Sequence, residues 1–113
     1  MIGVDIESIE RFNNLFTHKK RLLEKMFNKS EWAYALTKPN PAQTLTGIWC
    51  AKEAVLKAVY LYEPIFLKNI TIKYTNEGKP FAFIKTKKQY KDSIQISISH
   101  AKNYATAVAI VIQ

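Results

Sequence analysis

Cysteine occurs once in 113 residues, at Cys50, which excludes both an internal disulfide framework and a thiolate metal cage. Three glycines and four prolines leave no low-complexity tract, interdomain linker or internal repeat. Acidic residues are few, nine against 17 Lys and Arg. Uninterrupted apolar runs such as 107–112 are far too short to cross a bilayer, and the first six residues carry Asp5 where a signal peptide would need basic side chains. The expectation is a cytoplasmic protein with no membrane partner. Phosphate-loop, dinucleotide, His-Glu-x-x-His and Gly-x-Ser-x-Gly motifs are all missing, and with them several common enzyme classes.

What is present suits one domain spanning 1–113, because 48% hydrophobic and 12% aromatic residues suffice to fill the interior of a chain this size. The net charge of +8 points to an acidic partner: nucleic acid, a phosphorylated small molecule, an anionic surface or an acidic protein.

Alternation of Ile2, Val4 and Ile6 predicts an opening strand with Asp5 on the face opposite the core. Residues 9–26 show helical spacing broken by a basic elbow at His18, Lys19, Lys20 and Arg21, so two short helices are expected. Asn28 or Ser30 can cap a third helix that ends before Pro39. The clearest element is a helix over 42–60, with Pro41 in its first turn. Its apolar stripe gathers Leu45, Ile48, Trp49, Val55, Leu56 and Val59, with Lys52 in the middle and Glu53 and Lys57 on one flank. A hairpin follows through Ile70, Ile72 and Tyr74, the turn 76–80, and Phe81 and Phe83, the latter pair read as core. A loop or short helix is expected over 85–92, then strands at 94–98 and 105–112. The fold class is α+β, a mainly antiparallel sheet packed on a long central helix.

Taken singly, the chemical candidates have structural explanations. Glu53 and Lys57 have the spacing of a solvated helix pair, His100 that of a loop histidine, and Cys50 that of inert packing. Lys52 is harder to dismiss, since an ammonium in an apolar stripe must snorkel, pair or meet a ligand.

Three segments change this reading when taken in order: Gly3-Val4-Asp5-Ile6 with Arg11-Phe12, Trp49-Cys50-Ala51-Lys52-Glu53-Ala54-Val55-Leu56-Lys57-Ala58, and Ser97-Ile98-Ser99-His100 with Tyr104-Ala105. Together with the turn Asn76-Glu77-Gly78-Lys79-Pro80, the chain closely resembles the short, single-domain holo-acyl-carrier-protein synthases of the 4′-phosphopantetheinyl transferase superfamily. The resemblance implies that family's fold, and Mg²⁺-dependent transfer of 4′-phosphopantetheine from coenzyme A to a serine of an apo acyl carrier protein, releasing adenosine 3′,5′-bisphosphate. It implies Asp5 and Glu53 as metal ligands and Asp5, Glu53 and Lys57 as catalytic residues, with the base open between a metal-bound water, Asp5 and Glu53. It further implies coenzyme A contacts from Lys52, Lys57, Gly78, Lys79, Pro80, Ser99 and His100, and carrier-protein docking by Arg11, Lys19, Lys20 and Arg21. A homotrimer with sites between subunits, working in fatty acid biosynthesis, completes the set.

Two positions depart from the family pattern. Ile48 stands where many relatives have arginine, which makes Lys38 a candidate replacement, and Glu7-Ser8 stands where an acid usually lies one place later. The competing readings are an inactive trimeric homologue that still binds carrier protein, and a small basic nucleic-acid-binding module. Against the latter, the aromatics fall on apolar-periodic positions rather than among the lysines.

Overall fold

The structure is a computed structural model, and it describes residues 1–60, 63–85 and 94–112. Strand β1 (Ile2–Ser8) leads into α1 (Ile9–His18), whose first turn is capped by the Ser8 hydroxyl accepting from the Arg11 N–H at 3.3 Å. The basic elbow breaks the chain into α1 and α2 (Lys20–Glu24), and α3 follows over Lys29–Leu36. Asn28 rather than Ser30 begins α3: its N–H donates to Glu31 Oε1 at 2.8 Å, while its side-chain amide donates to Ile70 O and Thr71 Oγ1.

Helix α4 (Pro41–Val59) is the spine of the molecule, with Asn40 capping it by accepting from Gln43 N. Its stripe is buried as expected at Leu45, Ile48, Val55 and Val59, with Trp49 and Leu56 partly covered. A 3-10 turn at Leu67–Asn69 precedes the hairpin of β2 (Ile70–Tyr74) and β3 (Pro80–Ile84). Gly78 closes that hairpin at φ 89°, a left-handed conformation that side chains disfavour. Strands β4 (Ile94–His100) and β5 (Tyr104–Val111) finish the chain; of the expected loop or short helix over 85–92, residues 86–92 lie outside the described residues.

The sheet is divided in two, a three-stranded sheet ordered β1-β5-β4 and the two-stranded β2-β3, with every pairing antiparallel. The α+β expectation holds, with α4 packed on the larger sheet.

The opening strand faces the other way from the alternation reading. Ile2, Val4 and Ile6 are 66%, 58% and 62% exposed, while Gly3 is buried and Asp5 is half-buried on the α4 side. Gly3 is the cause: a Cβ there would lie 1.9 Å from the Ala54 carbonyl oxygen, so β1 presses its glycine directly on the helix backbone. In β3 likewise Ala82 enters the core and Phe83 turns outward. At Gly3 the helix and strand backbones lie too close for a larger side chain.

Candidate active site

Because side chains alternate along a strand, turning Asp5 inward turns Glu7 inward too, and both meet α4 where Glu53 and Lys57 leave its flank. Lys57 Nζ lies 3.0 Å from the Val4 carbonyl oxygen and 3.4 Å from Asp5 Oδ1, so it pairs across to the strand rather than along its own helix to Glu53. Asp5 is further fixed by Thr106, whose hydroxyl donates to the Asp5 carbonyl at 2.7 Å.

The carboxylates feel one another. Glu53 is held above the usual carboxylate range by burial and then by the charge of Asp5, with Lys57 opposing. Glu7 is raised by burial and then by the charge of Asp5, against the pull of Arg11. Cys50 lies beneath this group, its thiol donating to Ala105 O at 3.3 Å and pushed up to about 12 by burial and the charges of Asp5 and Glu7. It is inert at neutral pH, as its sequence context suggested.

Asp5 Oδ2 is buried and has no hydrogen-bond partner among the described residues. Lys57 offsets only part of the charge of three neighbouring acids and leaves this Asp5 oxygen orphaned, and a hard dication suits such oxygen donors. Among the described residues no three acids, histidines or cysteines converge into a ready-made cage. The donors fit an ion that takes one or two carboxylates and completes its shell with water and substrate oxygens.

A second cluster forms at the other end of α4. Gly78, Pro80 and His100 border a recess of about 280 Å³ together with Lys38, Tyr34 and Tyr74. The two tyrosine rings stack at 4.3 Å, and Lys38 Nζ lies 4.7 Å from the Tyr34 ring. Burial, then Tyr34 and Glu31, raise the Tyr74 hydroxyl well above its ordinary range. Ile48, at the position of the family arginine, is fully buried, whereas Lys38 borders the recess. Gln43, in the first turns of α4, and Glu53 are ten residues apart, so along the helix the two clusters are about 15 Å from each other.

Three expected residues stand elsewhere. Lys52 is 1% exposed and donates to Glu31 Oε1 at 2.8 Å, so it is a buried ion-pair partner and is not placed to touch a ligand; this corrects the expected coenzyme contact. Ser99 lies on the exposed outer face of β4, away from the side on which His100 meets α4. Lys79 borders a neighbouring groove with Phe81 and Ile94. Among the basic candidates, Arg11 pairs with Glu7 at 2.9 Å and shares a groove with Lys19, Lys20 lies over the Phe16 ring, and Arg21 is exposed. Sequence reasoning gave no chemical role to Glu7 or Gln43. The i,i+2 spacing from Asp5 was the signal for the first; the second had none.

No helix among the described residues is long and apolar enough to cross a membrane. The family profile of the 4′-phosphopantetheinyl transferase superfamily matches residues 1–109. The holo-[acyl-carrier-protein] synthases of Thermodesulfovibrio yellowstonii and Protochlamydia amoebophila are 34% and 37% identical, covering 97% and 96% of this chain and 96% and 94% of their own. Among solved structures, that of Helicobacter pylori holo-[acyl-carrier-protein] synthase in complex with coenzyme A superposes with a TM-score of 0.79 at 28% identity, covering 98% of this chain and 99% of that one. The match runs through both clusters and both ends of α4, and the chain belongs to the 4′-phosphopantetheinyl transferase superfamily.

Proposed function

We propose that the protein transfers 4′-phosphopantetheine from coenzyme A to a serine hydroxyl of an apo acyl carrier protein, releasing adenosine 3′,5′-bisphosphate. The observation that carries this reading is the meeting of Asp5, Glu53 and Lys57 between β1 and α4, with an enclosed Asp5 oxygen that has no hydrogen-bond partner among the described residues.

In the reaction the serine oxygen forms a bond to the phosphorus that bears pantetheine, and the bond from that phosphorus to the bridging oxygen breaks. The bridging oxygen leaves with the nucleotide, and the serine proton passes to a base. Asp5 and Glu53 would hold Mg²⁺, which when bound supplies positive charge against the developing charge on the phosphate oxygens. Lys57 neutralises charge on the departing phosphate. The recess at His100, Gly78 and Pro80 takes the nucleotide end, with Lys38 offering a cation there. Arg11, Lys19, Lys20 and Arg21 give an acidic carrier protein a basic face on α1 and α2.

The site is assembled between subunits of a homotrimer. Support comes from the apolar outer face of the larger sheet, where exposed Ile2 and Val4 lie opposite Ile110 and Val108. That face also carries the exposed Ser99.

The test is the intact mass of an apo acyl carrier protein after incubation with the protein, coenzyme A and Mg²⁺. A gain of one phosphopantetheine arm with stoichiometric adenosine 3′,5′-bisphosphate, stopped by chelator, is expected. Carrier-protein binding with no mass gain would leave the inactive-homologue reading.

A further inference from the structure

The cap of α4 and the recess at its end are joined by a chain of hydrogen bonds whose direction can be worked out from one backbone group. The Gln43 backbone N–H can only donate, so the Asn40 side-chain atom 3.2 Å from it is the oxygen. The Asn40 amide nitrogen therefore faces the Gln43 side chain and donates to Oε1 at 3.3 Å. That leaves Gln43 Nε2 as the atom 2.8 Å from His100 Nδ1. An amide nitrogen donates and does not accept, so Nδ1 must carry the lone pair.

We propose that Gln43 is a positioning residue that holds His100 as the neutral tautomer with its proton on Nε2. The proposal rests on the reading of the recess as the coenzyme A nucleotide end and deepens it. A ring fixed in this way presents one directed N–H donor to an oxyanion beside Lys38, and the helix cap prevents it from turning that nitrogen into an acceptor. Gln43 acts through His100, and its half-buried place on the first turn of α4 allows substitution without disturbing the core.

Nitrogen-15 spectra of the imidazole rings in the full-length chain at pH 9, without substrate, test it directly. Wild type should show His100 protonated on Nε2. Gln43→Glu, whose carboxylate only accepts, should move the proton to Nδ1, and Gln43→Leu should give a mixture. In steady-state transfer Gln43→Glu should raise the KM for coenzyme A about tenfold with a smaller change in kcat, as expected for a lost charge-assisted donor, and Gln43→Leu should raise it only by the fraction of the Nε2–H tautomer it loses, about twofold. Wild-type His100 protonated on Nδ1, or a proton position that Gln43→Glu does not change, overturns the proposal. The spectra are read without substrate, so a failure of the transfer reaction itself would count against the proposed function and leave the tautomer result standing on its own.

Discussion

Lys52 Nζ lies 2.8 Å from Glu31 Oε1, with the two side chains withdrawn from solvent to 1% and 0% exposure. The same carboxylate accepts the Asn28 N–H on Oε1 and the Ile72 N–H on Oε2, each at 2.8 Å. One acid thus ties α3, α4 and β2 together. A buried pair gains little over apolar replacements, yet breaking it strands a charge. Lys52→Met should cost about 3–5 kcal/mol in urea unfolding. The double variant Glu31→Leu with Lys52→Met should recover part of that loss, limited by the two backbone N–H groups left without an acceptor.

Gly3 sets how close β1 comes to α4. Gly3→Ala forces the strand away from Ala54 O and moves Asp5 with it. Unfolding by urea should show a loss of about 2 kcal/mol or more, and transfer activity should fall beyond what the unfolded fraction explains. Wild-type stability in this variant would contradict the packing described.

Cys50 should resist thiol reagents at pH 8 in the folded protein and react at once in denaturant, measured by colorimetric thiol titration. Its folded pKa is raised from 9.0 to about 12, so the neutral thiol's contribution to stability is complete below pH 9. Above pH 9 the unfolded chain releases a proton that the folded one keeps, and stability declines toward pH 12; the raised Tyr74 hydroxyl acts in the same direction above pH 10. The thermal midpoint should therefore fall between pH 9 and pH 11.

The outward face of β1 gives an assembly prediction. Light scattering on wild type should report the mass of three chains, and Val4→Lys, at a 58% exposed position outside the core, should report one. A monomeric wild type would remove the intersubunit site.

Helix α4 was legible because its apolar residues keep a 3.6-residue period through four turns, and the hairpin because residues 76–80 combine turn formers. The sidedness of β1 was not. Ile2, Val4 and Ile6 alternate as a core face would, and nothing local reveals that Gly3 and Asp5 meet the helix while the apolar face is left for another surface. Glu7 went unassigned for the same reason. Lys52 was singled out correctly as a charge needing a partner, but that partner is 21 residues away in sequence, beyond any periodicity. Asp5, Glu53 and Lys57 were singled out through motif resemblance; spacing alone assigned Glu53 and Lys57 to each other, and the fold pairs Lys57 with Asp5.

In the proposed reaction Asp5 and Glu53 serve the phosphate chemistry rather than the fold. Single-turnover transfer by Glu53→Gln, alongside calorimetric binding of apo carrier protein and a thermal melt, tests it most directly. Folding and carrier-protein binding should be unchanged and the rate at least about a hundredfold lower, the loss of several kcal/mol of charge stabilisation. A Glu53→Gln protein that transfers at the wild-type rate with Mg²⁺ present would contradict it.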